Sequence, residues 1–288
     1  MWVILEGLKT VAINIDYLSE IYFTFDEPVP YPIKNCVINI VPVKLKNKYN
    51  FLSSADILSI DKNSYPDVKI IQMSYLQFLC EVILNSKDEK AKELAYYKFY
   101  SIMHLCLGIQ IPKFYYNENG VNICDDSNPQ IIITAKQFDD IRRIIMHQNI
   151  PNYDDSYVNP SLQRAMNDTD KLKNKGIEVP TLERQMAIIT AHTGLPKKEQ
   201  LDMTCRSHEM LFEEVCGEVE FTTVRPVALF SGEGKNFDHW IFKKDKNKFD
   251  GYITTVDAYA KNIGGSQAIK SSDSTTLGDS YMQQFNNF

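Results

Sequence analysis

The sequence predicts an α+β protein: a predominantly helical body with a small N-terminal β element and a flexible polar C-terminal tail. Three observations carry that expectation. Alternating apolar positions gather near the N-terminus, in "VAINI" and "CVINIVPVKL". Helical stripes fill the middle of the chain. From Gly264 onward the composition turns to Gly, Ser, Thr, Gln and Asn. The expected division is a β-rich arm at 1–45, a helical segment with short strands at 46–133, a helical region at 134–263 and a docking tail at 264–288.

In the arm, Ile38 and Ile40 share a face. Pro28, Pro30 and Pro32 stand at every second position of "DEPVPYPIK". Proline lacks the N–H and fixes φ, so this piece cannot be a helix or a central strand and must be extended or an edge. The next stretch reads as three helices. "NKYNFLSSADILSI" places Tyr49, Leu52, Ala55 and Ile57/Leu58 on one face. "SYLQFLCEVILN" turns Leu76, Leu79 and Val82/Ile83 inward, and "KDEKAKELAYYKFYSIMHLCLG" ends at Gly108. The loop "DKNSYPDVK" separates the first two.

"IQIPKFYY" and "VNICDD" flank a tight turn at Asn119-Gly120. "QIIIT" then leads into a helix through Thr134 and Gln137, a Thr-x-x-Gln capping box. That helix turns Phe138, Ile141 and Ile145 to one side. "PSLQRAMNDTDKLKNKG" carries a stripe of Leu162, Ala165/Met166, Thr169 and Leu172, closed by Gly176. "PTLERQMAIITAHTG" has Thr181 at its start and Gly194 past its end. A short helix, a turn at Met203-Thr204 and a longer helix follow. After Gly217 the pattern weakens, and Pro226 is expected to interrupt any helix running through it.

The 288 residues include 44% hydrophobic and 24% charged side chains, enough to build a core. The net charge of −6, without a dense Lys/Arg footprint, speaks against nucleic acid as a partner. Six scattered cysteines with no CxxC pair read as free thiols of a reducing compartment. Glu6, Lys9, Asp16 and Glu20 interrupt the apolar N-terminus, so neither a secretory signal nor a membrane span is expected there.

Motifs for chemistry are weak. Cys205 and His208 have C-x-x-H spacing, with Cys216 beyond, but a zinc site needs two such pairs or HExxH. Position 212 holds Phe where HExxH requires His. No GxSxG, GxxxxGK[ST] or GxGxxG occurs. The adjacent pairs Asp139-Asp140, Asp154-Asp155 and Glu213-Glu214 read as solvated faces, because neighbours on a helix do not face each other. In the helix–turn–helix at 196–216, the second helix would carry Glu209, Glu213, Glu214 and Glu218 against one Arg206, which opposes insertion into a DNA groove. No catalytic residue, cofactor or metal ligand is therefore expected. The alternatives are a metal-dependent hydrolase drawing on His192, His208 or His239, and an acidic regulatory binding module.

What stands out is material for docking. "GKNFDHWIFKKDKNKF" sets Trp240 and Phe242 among further aromatics, and Trp240 alone can bury on the order of 200 Å². The tail cannot bury enough apolar surface to offset about 1–2 kcal/mol of ordering entropy per residue. Its last eight residues nevertheless hold Tyr281, Met282, Phe285 and Phe288. Trp240, Phe242, Tyr281, Phe285 and Phe288 are the expected contact residues.

"EPVPYPIKNCVINIVPVKLKNKYNF" and "DKNSYPDVKIIQMSYLQFL" resemble the N-terminal half of tail assembly chaperones or baseplate-hub assembly proteins of tailed bacteriophages. "ITAKQFDDIRRIIMHQN", "YVNPSLQRAM", "LPKKEQLDMTCRSHEMLFEEV" and "DHWIFKKDKNKF" resemble the C-terminal half, so the likeness runs over roughly residues 27–250. It implies a protein–protein role in building a tail or baseplate and no catalytic residues. The expected partners are other tail or baseplate proteins, in multiple copies, with no nucleic acid and no membrane. The expected location is the host cytoplasm during assembly, or the virion tail.

Overall fold

The computed structural model describes residues 13–62, 65, 67–118, 120–156, 158–173, 179–232 and 241. The chain divides into two compact units. One comprises Met1–Pro160 with Ile177–Trp240, the other Ser161–Gly176 with Ile241–Phe288. The architecture is α+β with a mostly helical body and two small antiparallel sheets.

The arm expected to be β-rich opens, among the described residues, with a helix. Ile15–Ile21 is a helix, α1, started by Asn14, whose side chain accepts the Tyr17 N–H. Asparagine is among the best helix starters, and the first two residues of "VAINI" lie outside the described residues. After it come strands β1 (Val29–Pro32) and β2 (Val37–Ile40), paired from Val29↔Ile40 to Pro32↔Val37. The proline-spaced segment is thus an edge strand, with Val29 buried and Pro30 and Pro32 exposed.

Helix α2 (Lys48–Ala55) buries Phe51, Ser54 and Ala55, then Ile57 and Leu58 in the 3-10 turn after it. Tyr49 and Leu52, expected on one face with Ala55 and Ile57/Leu58, are 66% and 47% exposed. A 3-10 turn at Leu45–Asn47, with Leu45 buried, precedes the helix. The short α3 (Val68–Gln72) begins in the last two residues of the segment expected as loop. α4 (Tyr75–Phe78) continues into a π-helical turn at Leu79–Ile83, and Leu76 and Leu79 are fully buried. α5 (Glu89–Leu107) starts on the Asp88 carboxylate and stops at Gly108 with φ of 67°, a conformation that suits residues without Cβ.

Strands β3 (Pro112–Asn117), β4 (Gly120–Asp125) and β5 (Asn128–Thr134) form an antiparallel sheet in that order, with a register shift at Cys124/Asp125. Helix α6 (Ala135–Asn149) carries the full capping box: Thr134 accepts from the Gln137 N–H, and the Gln137 side chain from the Thr134 N–H. The core lies where α2, α4, α5 and α6 meet the sheet. Phe99 of α5 sits 5.0 Å from Phe114 of β3 and 6.4 Å from Phe138 of α6, ring centre to ring centre. Burying each such ring stabilises by roughly 2–3 kcal/mol.

The end of α6 holds the arm. Asn149 Oδ1 accepts the Val43 N–H at 2.6 Å, while Gln148 Nε2 donates to the carbonyls of Glu27 and Ile40. Helix α8 (Leu182–Thr193) begins on Thr181 and ends at Gly194. α9 (Lys197–Gln200) ends in the buried Gln200, whose Nε2 lies within hydrogen-bonding distance of Met186 O, Thr190 Oγ1 and Leu195 O. α10 (Cys205–Phe230) passes through both Gly217 and Pro226. The expected break at Pro226 does not occur, because that half of the helix faces solvent, where water can satisfy the carbonyl that proline leaves without a donor. In the second unit, α7 spans Pro160–Lys173 with Met166 buried and Leu172 exposed.

Candidate functional site

Polar and aromatic side chains concentrate in two places on the first unit. The first is the joint that seats α10. Residues 43–46 run antiparallel to 201–205: the Cys205 N–H donates to Val43 O, Leu45 to Met203 O and Lys46 to Leu201 O. Asp26, in the left-handed region at φ of 57°, aims its carboxylate at the start of α10. It accepts from Thr204 Oγ1 at 2.6 Å and from Ser207 Oγ at 2.8 Å. Thr204 in turn accepts the Ser207 N–H and so caps the helix. Arg206 donates to the His147 carbonyl at 2.9 Å and lies over the Phe23 ring.

Behind Arg206, Asp155 pairs with Arg143 and lies 3.5 Å from His147 Nε2. Burial pushes the Asp155 carboxyl up, but Arg143 and His147 outweigh it and hold the group below the ordinary value. Burial pushes His147 down despite Asp155. Ser207 donates to Asp26 and not to an imidazole, so the group beside it is an acceptor that holds a hydroxyl, not a base positioned to relay its proton. The geometry of this cluster is that of a fastening.

Residues named by spacing are not brought together. Cys205 and His208 are buried on α10, while Cys216 is exposed. Among the described residues no group of three or more His, Cys, Asp or Glu is placed to hold a metal ion. His192 lies 3.4 Å from Glu218 at the surface, whereas His208 is fully buried. The carboxylates expected as solvated faces are engaged: Asp140 accepts from the Tyr31 hydroxyl at 2.9 Å, and Asp139 pairs with Arg142. Trp240, Phe242, Tyr281, Phe285 and Phe288, and His239 with them, lie outside the described residues.

The second place is an aromatic face on α5 and the neighbouring edge strand β3. Leu94, Tyr97 and Tyr100 follow one another at helical spacing and are 55%, 57% and 44% exposed. The ring of Tyr96 lies 5.9 Å from that of Tyr100, tilted by 54°. Tyr116 of β3, 57% exposed, meets Cys80 Sγ at 2.9 Å, and that bond pushes its phenol up to about 12, with burial and the nearby Tyr96 adding to the shift. The far half of α10 is also exposed and apolar, through Val227, Leu229 and Phe230.

Sequence reading missed both the Asp26 fastening and the tyrosine face. The first joins residues far apart in the chain, which spacing does not reveal. For the second, the run "ELAYYKFY" was a usable signal: four aromatics on a helix that can bury only one side. Among the described residues no helix is long and apolar enough to cross a membrane. The chain matches no protein-family model, no curated protein and no solved structure.

Proposed function

We propose that this chain is an assembly or structural protein of a bacteriophage tail or baseplate and works through protein–protein contacts, not catalysis. The observation that carries the contact reading is the exposed tyrosine face of α5 and β3. Tyrosine offers large contact area with little conformational freedom to lose, and it is enriched where proteins bind one another. Leu94, Tyr97, Tyr100 and Tyr116 together present such a surface on rigid elements, one side of which is anchored through Phe99 and Phe114. The tail or baseplate as the setting rests on the sequence resemblance.

The test has two parts. A phage lacking the gene is compared with its parent by electron microscopy, and purified particles are analysed by mass spectrometry. Defective tails with the chain present in parental particles mark a resident component; defective tails with the chain absent mark a transient assembly factor. Normal tails without the gene overturn the proposal. Tyr97→Ala with Tyr116→Ala should keep the melting temperature within a few degrees and lose assembly.

A further inference from the structure

We propose that the joint between α10 and the body is a proton-operated latch, in which charging the His208 imidazole frees residues 201–208 from residues 43–46. This stands apart from the tail reading and concerns the chain whatever it assembles with.

His208 lies one turn into α10 and has no exposed surface. Among the described residues neither Nδ1 nor Nε2 has a hydrogen-bond partner. A neutral ring in that position leaves one N–H and one acceptor unmet. A charged ring would leave two N–H groups and a net charge unmet, which is far more costly in an apolar setting.

The charged and titratable groups around the joint do not offset that cost. From α2, Lys48 acts on the ring and opposes its charging, with its ammonium 3.6 Å from Glu209. From α10 itself come Cys205, Arg206 and Glu209; Arg206 points away to the His147 carbonyl. From the strip opposite, Lys46 pairs with Asp202. From the arm, Asp26 is taken up by Thr204 and Ser207. Cys106, at the end of α5, lies near Cys205, and its thiol is pushed up by burial. On α8, His192 pairs with Glu218.

Burial first, and Lys48 second, push the His208 imidazole down to about 4. A solvated histidine takes its proton near 6.5. The open joint therefore binds a proton that the closed joint refuses, and closure weakens as pH falls from about 6.5 towards about 4, by up to about tenfold per pH unit. Opening exposes the buried strip of Val43, Leu45 and Cys205 and unpairs the N–H groups of Leu45 and Lys46. An apolar strip with unpaired backbone is a surface that a second chain can pair with.

The experiment is hydrogen exchange on the full chain from pH 7.5 to pH 4.5, corrected for the intrinsic pH dependence of exchange. Protection at Leu45, Lys46 and Cys205 should fall steeply below pH 6.5 in the parent, stay level in His208→Leu, and fall as in the parent in His147→Gln and His192→Gln. The same fall in His208→Leu overturns the proposal. Should that variant not fold, the ring of His208 is titrated by NMR in the unaltered chain. A midpoint well below 6.5, reached as the three amides lose protection, supports the latch. A midpoint at or above 6.5 with those amides still protected overturns it.

Discussion

Asp26 and Ser207 stand 181 positions apart in the chain, and both carboxylate oxygens of Asp26 lie 2.8 Å from the Ser207 hydroxyl. With Thr204 bonded to the same carboxylate, the N-terminal arm is fixed directly to the first turn of α10. A negative charge at a helix N-terminus is also favourable to the helix dipole. One side chain therefore closes the arm, satisfies two hydroxyls and stabilises a helix start.

Asp26→Ala should lower stability by about 1–3 kcal/mol, since it removes charged hydrogen bonds from a half-buried joint and places alanine at positive φ. Asp26→Asn should cost less, because asparagine tolerates the left-handed region and keeps one acceptor. Urea denaturation of both variants gives the comparison. Equal losses would mean that charge at α10, not backbone conformation, sets the cost.

Asp125 gives an acid-side prediction. Its buried carboxylate accepts from the N–H groups of Gln110, Ile111 and Ser127 and from the Ser127 hydroxyl, at 2.7–3.4 Å. Burial alone would raise this carboxyl, but Ser127 and the backbone donors outweigh it and hold the group below its ordinary value. A depressed carboxyl contributes stability that is present above the unfolded-state value near 3.9 and lost as pH falls through the lower folded value. Asp125→Asn should therefore reduce stability at pH 7 and flatten its acid dependence below pH 4. Thermal melts from pH 2 to pH 7 measure both; an unchanged acid limb would count against the Asp125 assignment.

Thr134→Ala removes the acceptor for the Gln137 N–H and one half of the capping box, at a cost of about 0.5–2 kcal/mol. Chemical denaturation measures it. The loss should appear together with faster exchange of the first-turn amides of α6, and a loss without that local change would place the effect elsewhere.

Where local chemistry decides, the fold was legible in the sequence. Gly108 stops α5, Thr134 and Gln137 start α6, and Thr181 and Gly194 bound α8, because each acts within one helical turn. Errors came where a weak local signal met a stronger neighbour. Asn14 starts α1 inside an arm expected to be β-rich, and on α2 Phe51 is buried while Tyr49 and Leu52 are exposed. The joint at α10 was legible only as a turn at Met203-Thr204. Its partners, Asp26 and Val43, lie too far away in sequence for any spacing to mark them.

Pro226 carries the last prediction. It sits inside α10, where it supplies no N–H, and its ring crowds the preceding turn. Around it the hydroxyls of Thr222 and Thr223 donate to the carbonyls of Glu218 and Val219, at 2.8 and 2.7 Å, and the apolar side chains Val224, Val227, Leu229 and Phe230 are exposed. Proline in a helix interior is less favourable than alanine by about 3 kcal/mol. This half of the helix makes few buried contacts, so the difference should act on local opening and not on global unfolding. Pro226→Ala should slow exchange of the amides from Thr223 to Phe230 by on the order of tenfold or more, while the urea midpoint stays put. Retained assembly in that variant would show that the proline is dispensable for contact. Lost assembly, with slower exchange, would show that partners need this end of α10 to open. Unaltered exchange would mean that proline does not limit the helix here, and the argument from the missing N–H would fail.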